Sequence, residues 1–218
     1  MYPPSMQGPA RSRNDNVDSS RRFSALYFGY ASNLSPSAMK GRCPDSLFCG
    51  LARLDGWKWN INSTQYANIV PSADDIVYGS LFFLSPRDEA GLDESEGVPW
   101  LYEKRWHEVM RIAADGSETG QKVKALVYVD VKRPDEGVIM PDYVVWINKA
   151  VRESKGFGLP PDYVEKYIRP YIPPTSKEDE DKETEIQMVR VMAPKADQYY
   201  QRPGFRFQSG QDGRPVES

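Results

Sequence analysis

Residues 76–84 read Ile-Val-Tyr-Gly-Ser-Leu-Phe-Phe-Leu and stop at Ser85-Pro86. A run that is apolar nearly throughout, bounded by a turn signal, predicts a strand buried on both faces. The residues after it predict a helix by their cap chemistry. Ser85 suits the N-cap, Pro86 the first helical position, and Asp88 the positive end of the helix dipole. That helix carries Ala90, Leu92 and the pair Asp93-Glu94, and should end at about Gly97.

The other segments have the same character. Residues 26–30 predict a buried strand, a turn at 30–34 follows, and a short helix starts at Ser35 or Pro36. Residues 47–62, with Trp57 and Trp59, predict a strand or strand pair; 68–71 a short extended piece; and 72–75 a turn. Two strands, 102–112 and 122–131, are joined by a turn at 114–116. Residues 141–154 predict a helix with Tyr143, Trp146, Ile147, Ala150 and Val151 on one face, ended by Gly156 and Gly158. A second short helix covers 161–171. Strands joined by turns, with few helices and no regular alternation, indicate an α+β fold rather than a doubly wound α/β sheet.

The ends differ in composition. Residues 1–22 are polar and Pro-, Ser- and Arg-rich, and cannot bury enough apolar surface to offset the entropy of ordering. They are expected to be a disordered tail before a single domain at 23–174. Residues 175–218 are expected to be a mostly flexible polar tail, with a candidate strand at 186–192 and an unfolded stretch at 202–218.

A net charge of -3 gives no electrostatic footprint for nucleic acid. The sequence lacks an apolar run long enough for a membrane span, and an N-terminal secretory segment is not evident. A cytoplasmic setting is the expectation, with Cys43 and Cys49 as reduced thiols, although a disulfide between them stays open. His107 is the only histidine, so a Cys-His or Ser-His nucleophile would have to use it; its place in an alternating strand makes a structural role the simpler reading. No metal site and no nucleotide-binding glycine motif is expected. The sequence does not specify oligomeric state, and a homodimer is compatible with it.

Two short motifs carry chemistry. In Tyr30-Ala31-Ser32-Asn33-Leu34 a strand ends and a helix is about to begin, so successive N–H groups are placed to hold an anion such as a carboxylate. Ser32 and Asn33 add short polar side chains. An ordinary capped turn remains the plainer alternative. In Asp93-Glu94-Ser95-Glu96-Gly97, nearby acids and the apolar Val98-Pro99-Trp100 would both raise the pKa of Glu96 toward neutrality, suiting it to general base and acid roles. An acidic helix end facing solvent is the plainer alternative here. Glu94 is the rival carboxylate, and a helix would point it away from Glu96.

Together these residues resemble the γ-glutamylcyclotransferase family. Residues 26–34 are similar to its Y-G-S-N-L loop, and 92–98 to its L-D-E-x-E-G-V segment. The resemblance extends through 49–54, Tyr78-Gly79, Tyr102, and from Pro141-Asp142-Tyr143 to Gly158-Leu159-Pro160, covering about 25–171. It implies a small, mixed, β-barrel-like sheet flanked by a few helices, and no cofactor or metal. The implied reaction releases 5-oxoproline and an amino acid or amine from a small-molecule γ-glutamyl substrate. The resemblance assigns Glu96 as the catalytic residue and Tyr30, Ala31, Ser32, Asn33, Leu34, Tyr102 and Tyr143 as substrate-binding. The family usually has Gly at the position of Ala31; if φ is positive there, alanine costs on the order of 1 kcal/mol, and if negative the change is harmless. A non-catalytic anion-binding or protein-interaction module of the same fold is the alternative.

Overall fold

Strand β1 (Ala25–Gly29) is buried on both faces and organises the molecule. Its Phe28 joins a core with Leu51, Trp59, Val77, Leu81 and Val127. Its Ala25 and Tyr27 join a second cluster with Met39, Phe82, Leu92 and Leu126. In a strand, successive side chains leave on opposite faces, so this one must be covered twice. Both covers mix the two kinds of element: the first also takes in Ile147, Ala150 and Val151, and the second sets Met39 and Leu92 against Leu84 and Tyr128.

The computed structural model describes residues 22–174 and two short strands, Gln208–Ser209 and Pro215–Val216. The two expected tails fall almost wholly outside the described residues, as does the candidate strand at 186–192. Where 202–218 is expected to be unfolded, Gln208–Ser209 pairs antiparallel with Pro215–Val216, a local ladder that a polar composition does not disclose.

After β1 come a 3₁₀ turn (Ser32–Leu34), α1 (Pro36–Arg42), β2 (Leu47–Ile61), β3 (Ala67–Leu84), α2 (Pro86–Ser95), β4 (Glu103–Ile112), β5 (Glu118–Val129), α3 (Pro141–Lys155) and α4 (Pro161–Tyr163). The last continues as a π-helical turn, Val164–Ile168. The five strands lie in the order β1-β3-β2-β4-β5 and close into a small barrel. The pairs are antiparallel except the closing one, where β1 meets β5 in parallel at Tyr27 and Leu126. The α+β class is as the sequence pattern indicates, and the barrel-like sheet is as the family resemblance implies. Both caps of the Ser-Pro type form: the Ser35 hydroxyl accepts from the Ala38 N–H, and that of Ser85 from the Asp88 N–H.

One expectation needs correcting. Residues 68–71 and 76–84 are one strand, because the supposed turn at 72–75 does not end it. Asp55 pairs with Ile76 and Trp57 with Pro71, so 72–75 bulge outward opposite Gly56, and the ladder resumes on either side. Of the two alternatives open for 47–62, the single strand is the one that forms, over Leu47–Ile61.

Candidate active site

Where β1 ends, Tyr30 is fixed at both its polar groups. Its hydroxyl donates to the Tyr128 carbonyl at 2.8 Å, and its carbonyl accepts from Trp59 Nε1 at 3.1 Å. The chain then turns through Ala31, whose φ is -125°. Alanine therefore meets no left-handed backbone strain there. Within the turn the Leu34 N–H donates to Ala31 O and the Ser35 N–H to Ser32 O. Those two donors are spent on the turn itself, and the Ser32 backbone is engaged by the Tyr143 hydroxyl. The Leu34 carbonyl is held by the Ser80 and Ser154 hydroxyls, and its side chain is in the core.

Close packing sets the turn against the strand before it. A Cβ on Gly29 would lie 2.6 Å from Asn33 O, so no other residue fits there without displacing the turn. Asn33 is buried, and its amide joins three partners. Nδ2 donates to Tyr27 Oη at 2.9 Å and to Glu96 Oε1 at 3.2 Å, while Oδ1 accepts from Arg42 Nη1 at 2.8 Å.

Glu96 is the C-cap of α2, half-buried, with its N–H donating to Leu92 O. Gly97 follows with φ +66°, which lets the chain leave the helix abruptly. The rival Glu94 is exposed. Asp93 accepts from the Tyr128 hydroxyl at 2.6 Å and pairs with Lys104 at 3.0 Å, so it faces β4 and β5. The surroundings of Glu96 differ from the expected acids and apolar residues. Trp100 is half exposed, and the charge of Glu96 is felt by four tyrosines. Burial pushes the hydroxyls of Tyr27, Tyr30, Tyr128 and Tyr143 up, and the Glu96 carboxylate pushes each further. Tyr143 reaches about 12, even though the side chain and backbone of Ser32 hydrogen-bond to it in the sense that favours ionisation. All four phenols are neutral at physiological pH.

These groups line one cavity of about 100 Å³, room for several waters or a small polar solute. Of the residues proposed from sequence, Glu96, Tyr30, Ala31, Ser32, Asn33, Tyr102 and Tyr143 line it, and Leu34 does not. The Tyr102 hydroxyl donates its proton to Ala67 O at 3.0 Å. Sequence reasoning passed over Tyr27, Arg42, Tyr66, Leu101, Tyr128 and Trp146, which also line the cavity. The alternation of β1 and β5 contained the signal for Tyr27 and Tyr128; nothing local marked Arg42. His107 lies elsewhere, edge-on to Trp57 at 4.9 Å, with its pKa lowered by burial and by Arg105. Among the described residues no group of His, Cys, Asp and Glu is placed to hold a metal ion, and no helix is long and apolar enough to cross a membrane.

A family profile described as gamma-glutamyl cyclotransferase, AIG2-like, matches residues 27–147, which contain every residue named above as lining the cavity. The chain belongs to this family. It is similar to the gamma-glutamylcyclotransferase of Mus musculus, 28% identical over 151 residues, covering 65% of this chain and 76% of that protein. The gamma-glutamylcyclotransferase of Homo sapiens is 28% identical over 172 residues, covering 72% of this chain and 87% of that one. A solved structure titled gamma-glutamyl cyclotransferase superposes with a TM-score of 0.59 at 26% identity, spanning 74% of this chain and 98% of the other. In this member of the γ-glutamylcyclotransferase family, the cavity lies where β1, β5, α2 and α3 converge.

Proposed function

We propose that the protein is a 5-oxoproline-forming γ-glutamylcyclotransferase. The observation that carries this is the position of Glu96, the carboxylate in the cavity lining, at 3.2 Å from the Asn33 amide of the opposing turn. The family membership supports the same reading.

The substrate's α-nitrogen attacks its own γ-carbonyl carbon, a C–N bond forms to close a five-membered ring, and the original amide C–N bond breaks. The step is intramolecular, so the site must select the folded rotamer and limit water. The ammonium first gives a proton to Glu96. One of its hydrogens stays on the lactam nitrogen, and the others end on the departing amine. The overall reaction is proton-neutral, so one carboxyl can serve as base and then acid. N–H groups at the start of the 30–34 turn would steady the substrate carboxylate or the developing oxyanion. Tyr143, held by Ser32, and the rings of Tyr66 and Tyr102 would confine the glutamyl chain.

The test is 5-oxoproline release from γ-glutamyl dipeptides and γ-glutamyl amines, with wild type beside Glu96→Gln. Wild type should release it, and the variant should be slower by about 10²–10⁴-fold while still binding substrate. Failure of the wild type on every compound would favour a non-catalytic module of the same fold.

A further inference from the structure

We infer that Arg42 is a positioning residue for Glu96, acting through the side-chain amide of Asn33; this rests on the cyclotransferase reading of the site. Arg42 closes the last turn of α1 and is half-buried at the cavity wall. A guanidinium has donors and no acceptor, so only the oxygen of the Asn33 amide can face it. The 2.8 Å contact from Arg42 Nη1 to Asn33 Oδ1 therefore decides which way the amide points. With Oδ1 taken, Nδ2 is turned to Tyr27 Oη and Glu96 Oε1. The reversed amide would set an oxygen against the carboxylate, a repulsive contact in a part-buried site.

Charge leads to the same assignment. Glu96 is felt by Tyr27 and Tyr30 at the end of β1, by Tyr128 from β5 and by Tyr143 from α3. All four are neutral phenols near pH 7. On its own helix Asp93 is turned to Lys104 and Tyr128, and Glu94 is exposed. Arg42, from α1, is the cation in the lining, and it acts on Tyr27 and Tyr143 in the sense opposite to Glu96. Arg42 thus has two effects on one carboxylate. It fixes the donor that aims Glu96, and it favours the ionised form that the first proton transfer needs.

The experiment uses the full chain with Arg42→Gln and Arg42→Lys, each checked for native circular dichroism. The Gln variant should lose about 10²-fold in kcat with a smaller change in KM, because aim rather than ground-state binding is lost. The acidic limb of its kcat/KM profile should move to higher pH, since Glu96 then holds its proton more strongly. The Lys variant keeps the charge but not the planar fork, so its limb should stay in place while kcat recovers only in part. If the Gln variant does not fold, the Lys variant carries the test alone by that split. A folded Gln variant with unchanged kcat and limb, or equal losses in both variants with an unmoved limb, would overturn the inference. If wild type releases no 5-oxoproline, the functional reading fails separately. A ¹³C NMR titration of the Glu96 carboxyl, wild type beside Arg42→Gln, then decides: an upward shift supports the coupling, and no shift overturns it.

Discussion

At the scale of single residues, Ala31 shows how a departure from family pattern should be weighed. Its φ of -125° lies outside the left-handed region, so alanine there meets none of the penalty that a positive φ would bring. On the proposed reaction, Ala31→Gly should leave 5-oxoproline release within a few-fold of wild type in a side-by-side assay, since no positive φ calls for glycine there. Gly29 is the glycine the turn depends on, and its sequence context does not reveal this. It looks like any glycine at a strand end, and the atom it must avoid, Asn33 O, is placed by the turn that comes after it. Glu96 was legible because cap chemistry and a following glycine fix a helix end from local sequence alone. Its phenolic surroundings were not, because Tyr27, Tyr128 and Tyr143 come from three distant elements.

At the scale of elements, α3 and α1 are joined by one carboxylate. Glu153 accepts from the Ser35 hydroxyl at 2.6 Å, from the Ser37 hydroxyl at 2.5 Å and from the Ser37 N–H at 3.2 Å, and pairs with Lys149 at 3.0 Å. Burial opposes its ionisation, but the hydrogen bonds from Ser35, Ser37 and Lys149 outweigh it and hold the carboxyl at about 2, against an ordinary 4.5. A depressed folded-state pKa stabilises the protein above the unfolded value, and that contribution is lost as pH falls toward the folded one. Wild type should therefore be more stable than Glu153→Gln at pH 7, and the gap should narrow between about pH 4.5 and pH 2. Urea midpoints for both proteins across that range check it; a constant gap would refute the assignment. Sequence pattern gave the existence of α1 and α3 but not this brace, since a surface glutamate and a cap serine look ordinary until the helices are packed. The bulge at 72–75 was misread for a related reason. Local turn chemistry is present there, with Ser72 Oγ donating to Asp75 at 2.6 Å, but pairing with β2 on either side overrides it.

At the scale of the whole molecule, the closed sheet needs a polar pin where β5 ends, and Asp130 supplies it. This buried carboxylate accepts from Asn62 Nδ2 at 2.8 Å and Arg133 Nε at 2.7 Å, and its backbone exchanges hydrogen bonds with the Asn68 amide. Arg133 also donates to the carbonyl of Leu101, which lines the cavity. Asp130→Ala leaves a guanidinium and an amide without their partner, and should cost about 3–5 kcal/mol by chemical denaturation. The class of fold was legible because strands joined by turns leave few arrangements; barrel closure was implied only by the family resemblance, since one parallel contact between β1 and β5 leaves no local trace. That single seam has a kinetic consequence. The residues around Glu96 come from positions as far apart as Tyr27 and Trp146, so no fragment of the chain assembles the cavity, and the contacts that do so are among the most distant in sequence. On the proposed function, 5-oxoproline release should return last on refolding, after helical and hairpin signals, making turnover itself the reporter of the closed barrel.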